Sequence, residues 1–232
     1  MAFYAIGDIH GCAATLDRLL ARLAADAGTA LGPADTLVFV GDYVDRGPDS
    51  PAVIDRLLEL EAASDAETGP RCVFLRGNHD QMMLDYVDGV GDADLWWANG
   101  GRTTIAAYTA RGDVQVPFDH IAFLRRTGLV AEGIGFAFVH AGLDTRRSVA
   151  DNLADPDPRV ALWTRQHLDA DLSAWEKPVV CGHTPVPVPI NQPRLIDIDT
   201  GAVYAGRPGL GRLTAVALPE RRFVSVATVD AV

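Results

Sequence analysis

The chain has 232 residues, 48% of them hydrophobic, which is enough for one packed domain with a core of ordinary size. Its formal net charge of −11 at pH 7 argues against non-specific binding to duplex nucleic acid or to acidic membranes, because both need a basic surface. No apolar run approaches the ~20 residues of a membrane span, no secretory signal is visible, and the three cysteines lie far apart. We therefore expect a cytoplasmic protein.

The first predicted strand covers residues 2–6 and leads into a loop, residues 7–11, that carries Asp8 and His10. Beyond this loop, leucines recur at the spacing of one helix face, so the loop is a strand-to-helix turn. These leucines are Leu16, Leu19, Leu20 and Leu23. Because the loop follows a buried strand, its polar side chains are placed to face a ligand.

The second predicted strand, residues 36–40, ends at three charged side chains, Asp42, Asp45 and Arg46. A buried charge costs several kcal/mol unless it is paired or metal-bound, so these side chains belong at the exit of the strand, where a loop aims them at a ligand. Ser50, which precedes a proline, is typical of a helix N-cap.

The third predicted strand, residues 72–75, leads to Arg76, Asn78 and His79. From about residue 81 to 130 the strand rhythm stops, and apolar residues at short spacings predict a helical insertion beside the site.

Two features of this insertion remain open. Trp96, Trp97 and the stretch 99–101 form either the core and a turn of the insertion or a wall of the substrate cleft that stacks a base. His120, and His167 further along the chain, do not follow a strand and are predicted to face solvent.

Strands return near residue 133, and two of them again end in histidine, at His140 and His183. Closing strands are predicted at residues 194–199, 213–218 and 223–229. Tyr204, between them, is either a strand-edge tyrosine or a residue that reaches the site. The alternation of strands and helices predicts one α/β domain over residues 1–232, with its ligand site beyond the carboxyl ends of the strands.

The strand-end residues form a set of two carboxylates, three imidazoles and one amide, without thiolates. Such donors suit Mn, Fe or Zn, and six of them exceed the needs of one four-coordinate ion. They fit two divalent ions that share a carboxylate, with a bridging hydroxide as the nucleophile for phosphoryl displacement. The predicted ligands are Asp8, His10, Asp42, Asn78, His140 and His183.

The neighbouring residues fit the same chemistry. His79 stands beside Asn78 and is placed to protonate the leaving oxygen, with Asp45 to orient its imidazole. Arg46 and Arg76 are fork-shaped donors for the equatorial phosphoryl oxygens.

The motifs GDIHG, GDYVDRG and RGNHD, followed by HAG and GHT, resemble those of the calcineurin-like metallophosphoesterase superfamily, closest to its phosphoprotein-phosphatase branch. The resemblance implies a four-layer sandwich of two mixed β-sheets flanked by helices. It implies that Asp42 bridges two metal ions, Mn being favoured over Fe or Zn. Asp8 and His10 would complete one site; Asn78, His140 and His183 would complete the other.

Two details of the family pattern are less direct. The family often has glutamate where this chain has Asp80. A third phosphate-binding arginine is assigned to Arg165, with Arg146 and Arg147 as competitors.

The predicted function is a serine/threonine protein phosphatase that acts on phosphoproteins or other phosphomonoesters. The alternative is a symmetrical bis(5'-nucleosyl)-tetraphosphatase, which converts diadenosine tetraphosphate to ADP. A catalytically silent metal-binding scaffold is the alternative from another class. The sequence makes no prediction about oligomeric state.

Overall fold

The computed structural model describes residues 1–231. Over this range ten strands form two mixed sheets of five strands each. The strands are β1 (Phe3–Ile6), β2 (Thr36–Phe39), β3 (Arg71–Phe74), β4 (Val130–Gly133), β5 (Phe136–Val139), β6 (Val179–Cys181), β7 (Ile190–Asn191), β8 (Leu195–Asp197), β9 (Arg212–Ala217) and β10 (Arg222–Ala227).

The first sheet has the order β10-β9-β1-β2-β3 and the second the order β4-β5-β6-β8-β7. In the first sheet β1, β2 and β3 run parallel, and β9 and β10 continue it antiparallel. In the second, β5, β6 and β8 run parallel and the two outer strands are antiparallel. Each sheet therefore sends a block of parallel strands toward one end, where their carboxyl termini lie.

Helices cover the outer faces of both sheets. They are α1 (Ala13–Ala27), α2 (Ser50–Asp65), α3 (Asn78–Val87), α4 (Ala93–Trp96), α5 (Arg102–Ala110), α6 (Phe118–Arg126), α7 (Val149–Ala154) and α8 (Pro158–Trp163). A π-helical segment, Trp97–Gly101, joins α4 to α5, and a short 3-10 helix spans Gln166–Leu168. Among residues 1–231, none of the helices has both the length and the apolarity that a membrane crossing requires.

Three apolar clusters define the layers. Alternate residues of the strands in both sheets, among them Val38, Phe138 and Ile196, pack against each other between the sheets. The opposite face of the first sheet packs on the helices α1 to α6, and that of the second packs on α7, α8 and Trp175. This helix–sheet–sheet–helix arrangement confirms the predicted four-layer sandwich.

The start of α2 differs from the prediction. The N-cap is Asp49, whose side chain accepts the N–H of Ala52, and Ser50 is the first helical residue. The Ser50 hydroxyl instead accepts the N–H of Asp45 at 3.1 Å and contacts Thr104 at 3.0 Å. A residue that looked like a helix cap thus belongs to the support of a strand-end loop.

The prediction that His120 and His167 face solvent is wrong, because both are buried. His120 lies between the Tyr108 hydroxyl, 2.8 Å from its Nδ1, and the Asp55 carboxylate, 3.0 Å from its Nε2. It thereby fastens α5 and α6 to α2. His167 stacks on Trp175 beneath the second sheet, with 6.3 Å between the ring centroids.

Candidate active site

The predicted site residues from both sheets meet around Asp42. His10, on the loop after β1, places Nε2 3.3 Å from Asp42 Oδ2. His140, on the loop after β5, places Nε2 3.5 Å from Asp42 Oδ1. All three side chains are buried. One carboxylate is thus shared by imidazoles from opposite sheets.

Asn78 joins the remaining histidines. Its Oδ1 lies 3.0 Å from His140 Nε2 and 2.9 Å from His183 Nδ1. Asp8 accepts the backbone N–H of His183 at 3.0 Å. The structure therefore brings all six predicted ligands into one buried group at the carboxyl ends of the strands.

The loops that carry these side chains adopt left-handed backbone conformations at residues other than glycine. The φ values are +47° at His10, +54° at Asp42, +72° at Asp45, +68° at Arg46 and +68° at His183. Such conformations cost of order 1 kcal/mol or more each and persist only where the surrounding structure holds them. Five of the eight such non-glycine residues in the described range lie at this end of the sandwich.

Hydrogen bonds at Nδ1 orient two of the imidazoles. The Nδ1 atoms of His10 and His140 lie 2.8 Å from the carbonyl oxygen of Val44 and 3.0 Å from that of Val40. Each Nδ1–H therefore donates to a backbone carbonyl, and each Nε2 lone pair faces Asp42. This is the arrangement typical of metal-ligating histidine.

Burial keeps the imidazoles neutral. It lowers the pKa of His10 well below the ordinary value and lowers the pKa of His183 to about 3. A neutral imidazole is the form that binds a metal ion.

Burial raises the pKa of several carboxylates in and beside this group. Burial raises the pKa of Asp8 well above its usual range, and the negative charges of Asp199 and Asp42 raise it further. Asp197 and Asp199 are buried beside this group, and burial raises the pKa of Asp199 to about 7. Sequence analysis missed both, although a buried strand that ends in two aspartates within three positions is itself a signal of charge in need of a partner.

These residues fit a dinuclear metal centre. Within residues 1–231, two groups of three side chains bring their ligand atoms within 4.8 Å of one another, and they share Asp42. One group contains His10 and His79, the other His140 and His183. The buried His183 Nε2 finds no hydrogen-bond partner in this range. Oxygen and imidazole donors around buried carboxylates are what divalent ions such as Mn, Fe or Zn bind.

His79 forms a buried pair with Asp45. Its Nδ1 lies 2.8 Å from Asp45 Oδ2, so the Nδ1–H donates to the carboxylate. The same oxygen accepts the indole N–H of Trp96 at 2.8 Å, and Asp45 Oδ1 accepts the hydroxyl of Thr104 at 2.7 Å. Sequence analysis anticipated the pair but missed these two supports, both of which come from the helical segment after α3.

Arg46 lies in the site. Its Nη1 donates to His10 Nε2 at 2.7 Å, and its guanidinium stands over the Tyr204 ring, 5.7 Å from the ring centroid. Since Nε2 is also the atom through which His10 would bind a metal ion, that binding requires Arg46 to turn away from His10. A phosphate group in front of the metal ligands would offer Arg46 a replacement partner.

Among the three competing arginines, Arg165 is the one beside the predicted ligands. Its Nε donates to the Thr184 hydroxyl at 3.2 Å, next to His183. Arg146 pairs with Asp144 on the surface, and Arg147 donates to backbone carbonyls at the end of α7.

The structure contradicts the assignment of Arg76 to phosphate binding. Its Nε and Nη2 donate to Thr127 and to the backbone carbonyls of Leu124 and Arg125, and its Nη1 donates to Gln81. The guanidinium is thus committed to the end of α6, where it satisfies helix carbonyls. The motif position that suggested a ligand contact is instead a packing position.

Asp80 ties two site loops together. Its Oδ2 accepts the N–H of Asp42 at 2.9 Å and that of Gly77 at 2.8 Å, while its Oδ1 accepts the N–H of Tyr43 at 2.9 Å. Gly77 has to lack a side chain, because a Cβ there would lie 2.0 Å from Asp42 Oδ1. The aspartate that departs from the family's usual glutamate therefore fits a loop packed tightly against the bridging carboxylate.

Known proteins resemble this chain over almost its whole length. The bis(5'-nucleosyl)-tetraphosphatase PrpE (asymmetrical) of Bacillus thuringiensis is 29% identical, over 97% of this chain and 94% of its own. The protein of the same name from Oceanobacillus iheyensis is 30% identical, over 96% of this chain and 91% of its own.

A solved structure gives the same result for the fold. The crystal structure of a candidate diadenosine tetraphosphatase superposes with a TM-score of 0.66 and 26% identity, over 99% of this chain and 95% of that one. The model of the calcineurin-like phosphoesterase family matches residues 1–213. With that match and the convergence of ligands on Asp42, the chain belongs to the calcineurin-like phosphoesterase family.

Proposed function

We propose that this protein hydrolyses dinucleoside tetraphosphates at a centre of two divalent metal ions, and that it cleaves them asymmetrically, into ATP and AMP. The observation that carries this proposal is the complete strand-end set around Asp42 in a chain that matches relatives named for this reaction over almost its whole length. Those names favour a dinucleotide over a phosphoprotein as substrate. They also favour asymmetrical products over the two ADP molecules that the symmetrical alternative would give.

The ligands divide between the ions as follows. Asp8 and His10 would hold one ion, Asn78, His140 and His183 the other, and Asp42 would bridge them. When bound, the ions supply a nucleophile at neutral pH and neutralise negative charge that develops on the phosphoryl oxygens. Mn remains the favoured metal.

The chain's own side chains supply the remaining steps. Arg46 and Arg165 bind and orient the non-bridging phosphoryl oxygens. As the P–O bond to the leaving group breaks, His79 gives its Nε2 proton to the leaving oxygen, and Asp45 holds the imidazole in place through Nδ1.

The test is product analysis on the full chain supplied with Mn. Diadenosine tetraphosphate is incubated with the protein in ¹⁸O-water. The nucleotides are then separated, and the mass of each is measured by mass spectrometry. We expect ATP and AMP in equal amounts. The label then identifies the attacked atom, because attack at the outer phosphorus puts ¹⁸O in AMP and attack at the next one puts it in ATP.

Three outcomes would overturn the proposal. ADP as the dominant product would indicate the symmetrical reaction. Phosphate release from a phosphoserine or phosphothreonine peptide without nucleotide cleavage would restore the protein phosphatase. Failure to hydrolyse any phosphoester would leave the metal-binding scaffold. A His79→Asn protein is the matched control for contaminating hydrolases.

A further inference from the structure

The segment 93–110, which comprises α4, the π-helical segment and α5, touches the general-acid pair directly. Trp96 and Thr104 lie 51 and 59 positions after Asp45, yet both donate to its carboxylate. Asp45 and Thr104 are fully buried, and Trp96 is 1% exposed. The contact is therefore part of the interior of the site and not of the substrate cleft.

These neighbours occupy three of the roughly four acceptor directions of the Asp45 carboxylate. Oδ2 receives the His79 Nδ1–H and the Trp96 Nε1–H, each at 2.8 Å, and Oδ1 receives the Thr104 hydroxyl at 2.7 Å. The Thr104 oxygen in turn accepts the backbone N–H of Asp45 at 2.9 Å. A carboxylate held by donors on both oxygens cannot rotate, and so presents a fixed lone pair to His79.

Glycines set the position of the indole. A Cβ on Gly101 would lie 2.5 Å from the Trp96 ring, so the backbone of Gly101 packs directly on the ring face. Gly100, at φ +112°, has no side chain and can therefore lie close to Arg46. Its carbonyl oxygen accepts the backbone N–H of Arg46 at 3.4 Å. The stretch 99–101 thus serves the close approach of this segment to the Asp45 loop.

We propose that Trp96 and Thr104 are positioning residues for the general acid, acting through Asp45 to orient His79. This inference rests on the proposed function, since it gives a role to neighbours of His79 only if His79 protonates the leaving group. It assigns Trp96 to the positioning of the general acid and not to stacking a base.

The test uses leaving groups of different basicity. The Thr104→Val variant removes the hydroxyl donor at nearly constant volume, and the Trp96→Phe variant removes the indole N–H and keeps a smaller aromatic ring. Each is assayed, with Mn, on phenyl phosphate, whose leaving oxygen needs a proton, and on 2,4-dinitrophenyl phosphate, whose leaving oxygen does not. We expect kcat on phenyl phosphate to fall about tenfold or more in each variant, with little change in KM and little change on the dinitrophenyl ester.

Controls separate orientation from general damage. Trp97→Phe changes the neighbouring indole of the same aromatic cluster, and Thr103→Val removes a hydroxyl that donates to the carbonyl of Gly100. Both should keep the wild-type ratio of the two rates. Metal content and thermal midpoint are measured for each protein, and a Trp96→Phe protein that does not fold leaves Thr104→Val to carry the test.

The outcomes distinguish this inference from the proposed function. Equal loss on both esters, or no loss on either, in Trp96→Phe and Thr104→Val overturns the positioning role. His79→Asn is run beside them: if it lacks the dependence on the leaving group, His79 is not the acid and the positioning role falls with it. If the wild-type protein hydrolyses neither ester nor diadenosine tetraphosphate, the proposed function fails instead.

Discussion

His79 is held at one ring nitrogen and exposes its other nitrogen to the site. Its Nδ1 is bonded to Asp45, and its ring packs edge-on against His10 with 4.7 Å between centroids. The backbone N–H of His79 donates to Asp42 Oδ1 at 3.0 Å. A single residue therefore links the bridging carboxylate to the proposed proton donor.

Replacing His79 with asparagine should lower kcat on phenyl phosphate by roughly 10²–10⁴, because the basic leaving oxygen loses its acid. The backbone contact to Asp42 remains, so metal content should stay at the wild-type level. Steady-state kinetics together with elemental analysis check this prediction. Unchanged turnover in a metal-loaded variant would exclude His79 as the acid.

Arg165 and Arg76 offer a matched pair, since the Arg165 guanidinium is exposed beside the site and the Arg76 guanidinium is bonded to the end of α6. Arg165→Met should reduce kcat/KM by about tenfold or more, with the thermal midpoint unchanged, because an exposed phosphate donor is lost. Arg76→Met should instead lower the thermal midpoint, since it leaves the carbonyls of Leu124 and Arg125 without a donor. Kinetics and melting curves of both variants, measured side by side, would reveal exchanged roles if the assignment is wrong.

At the scale of elements, Asp80 fastens the loop after β2 to the start of α3. Asp80→Asn replaces one acceptor oxygen with an N–H₂ group that faces backbone donors. We expect this to lower the free energy of unfolding by about 2–3 kcal/mol and to weaken metal binding, since Asp42 loses its anchor. Urea denaturation and metal titration measure the two effects, and Asp85→Asn on the same helix serves as the control.

His167, beneath β6, makes the second sheet sensitive to acid. Burial lowers its pKa from 6.5 to about 4. Between these values the unfolded chain binds a proton that the folded chain does not, so stability falls as the pH falls. From pH 7 to 5 wild type should lose up to about 2 kcal/mol more than His167→Phe. Parallel stability curves for the two proteins would contradict this.

What the sequence predicts at this scale depends on how local the signal is. Apolar strands with polar exits are local patterns, and they predict an α/β domain with its site at the strand ends, whereas the four-layer sandwich is implied by the resemblance to the family. The partners of Arg76 lie 48–51 positions away, apart from Gln81, and those of Asp45 in the segment 93–110 lie 51 and 59 away. Contacts at such separations leave no trace in periodicity. His120 and His167 were misplaced for the same reason, because tertiary packing alone buries them.

At the scale of the whole molecule, the candidate site is the place where the two sheets are joined by polar groups. Asp8, Asp42 and Asn78 follow strands of the first sheet, and His140 and His183 follow strands of the second. Metal ions bound there would connect the sheets at one end of the sandwich, beyond the apolar layer between them.

Chelation should therefore lower the thermal midpoint of the whole protein. A ligand at 100 times its Kd stabilises by about 2.7 kcal/mol, which corresponds to roughly 5–10 °C for a chain of this size. We expect EDTA to remove this increment and Mn to restore it in wild type and in Glu220→Gln, but not in Asp42→Asn. A thermal midpoint of the wild-type protein that changes with neither EDTA nor Mn would contradict a metal centre between the sheets.

The strand order of the first sheet also determines when this sheet can be completed during translation. β1, β2 and β3 are synthesised within the first third of the chain, but the neighbour that pairs with the other edge of β1 is β9, at Arg212–Ala217. During translation one edge of β1 stays unpaired while the entire second sheet is synthesised, and an unpaired edge can hydrogen-bond to strands of other chains. Completion of the first sheet therefore requires synthesis of β9, so a premature stop before β9 should yield an aggregating fragment and not a smaller folded enzyme.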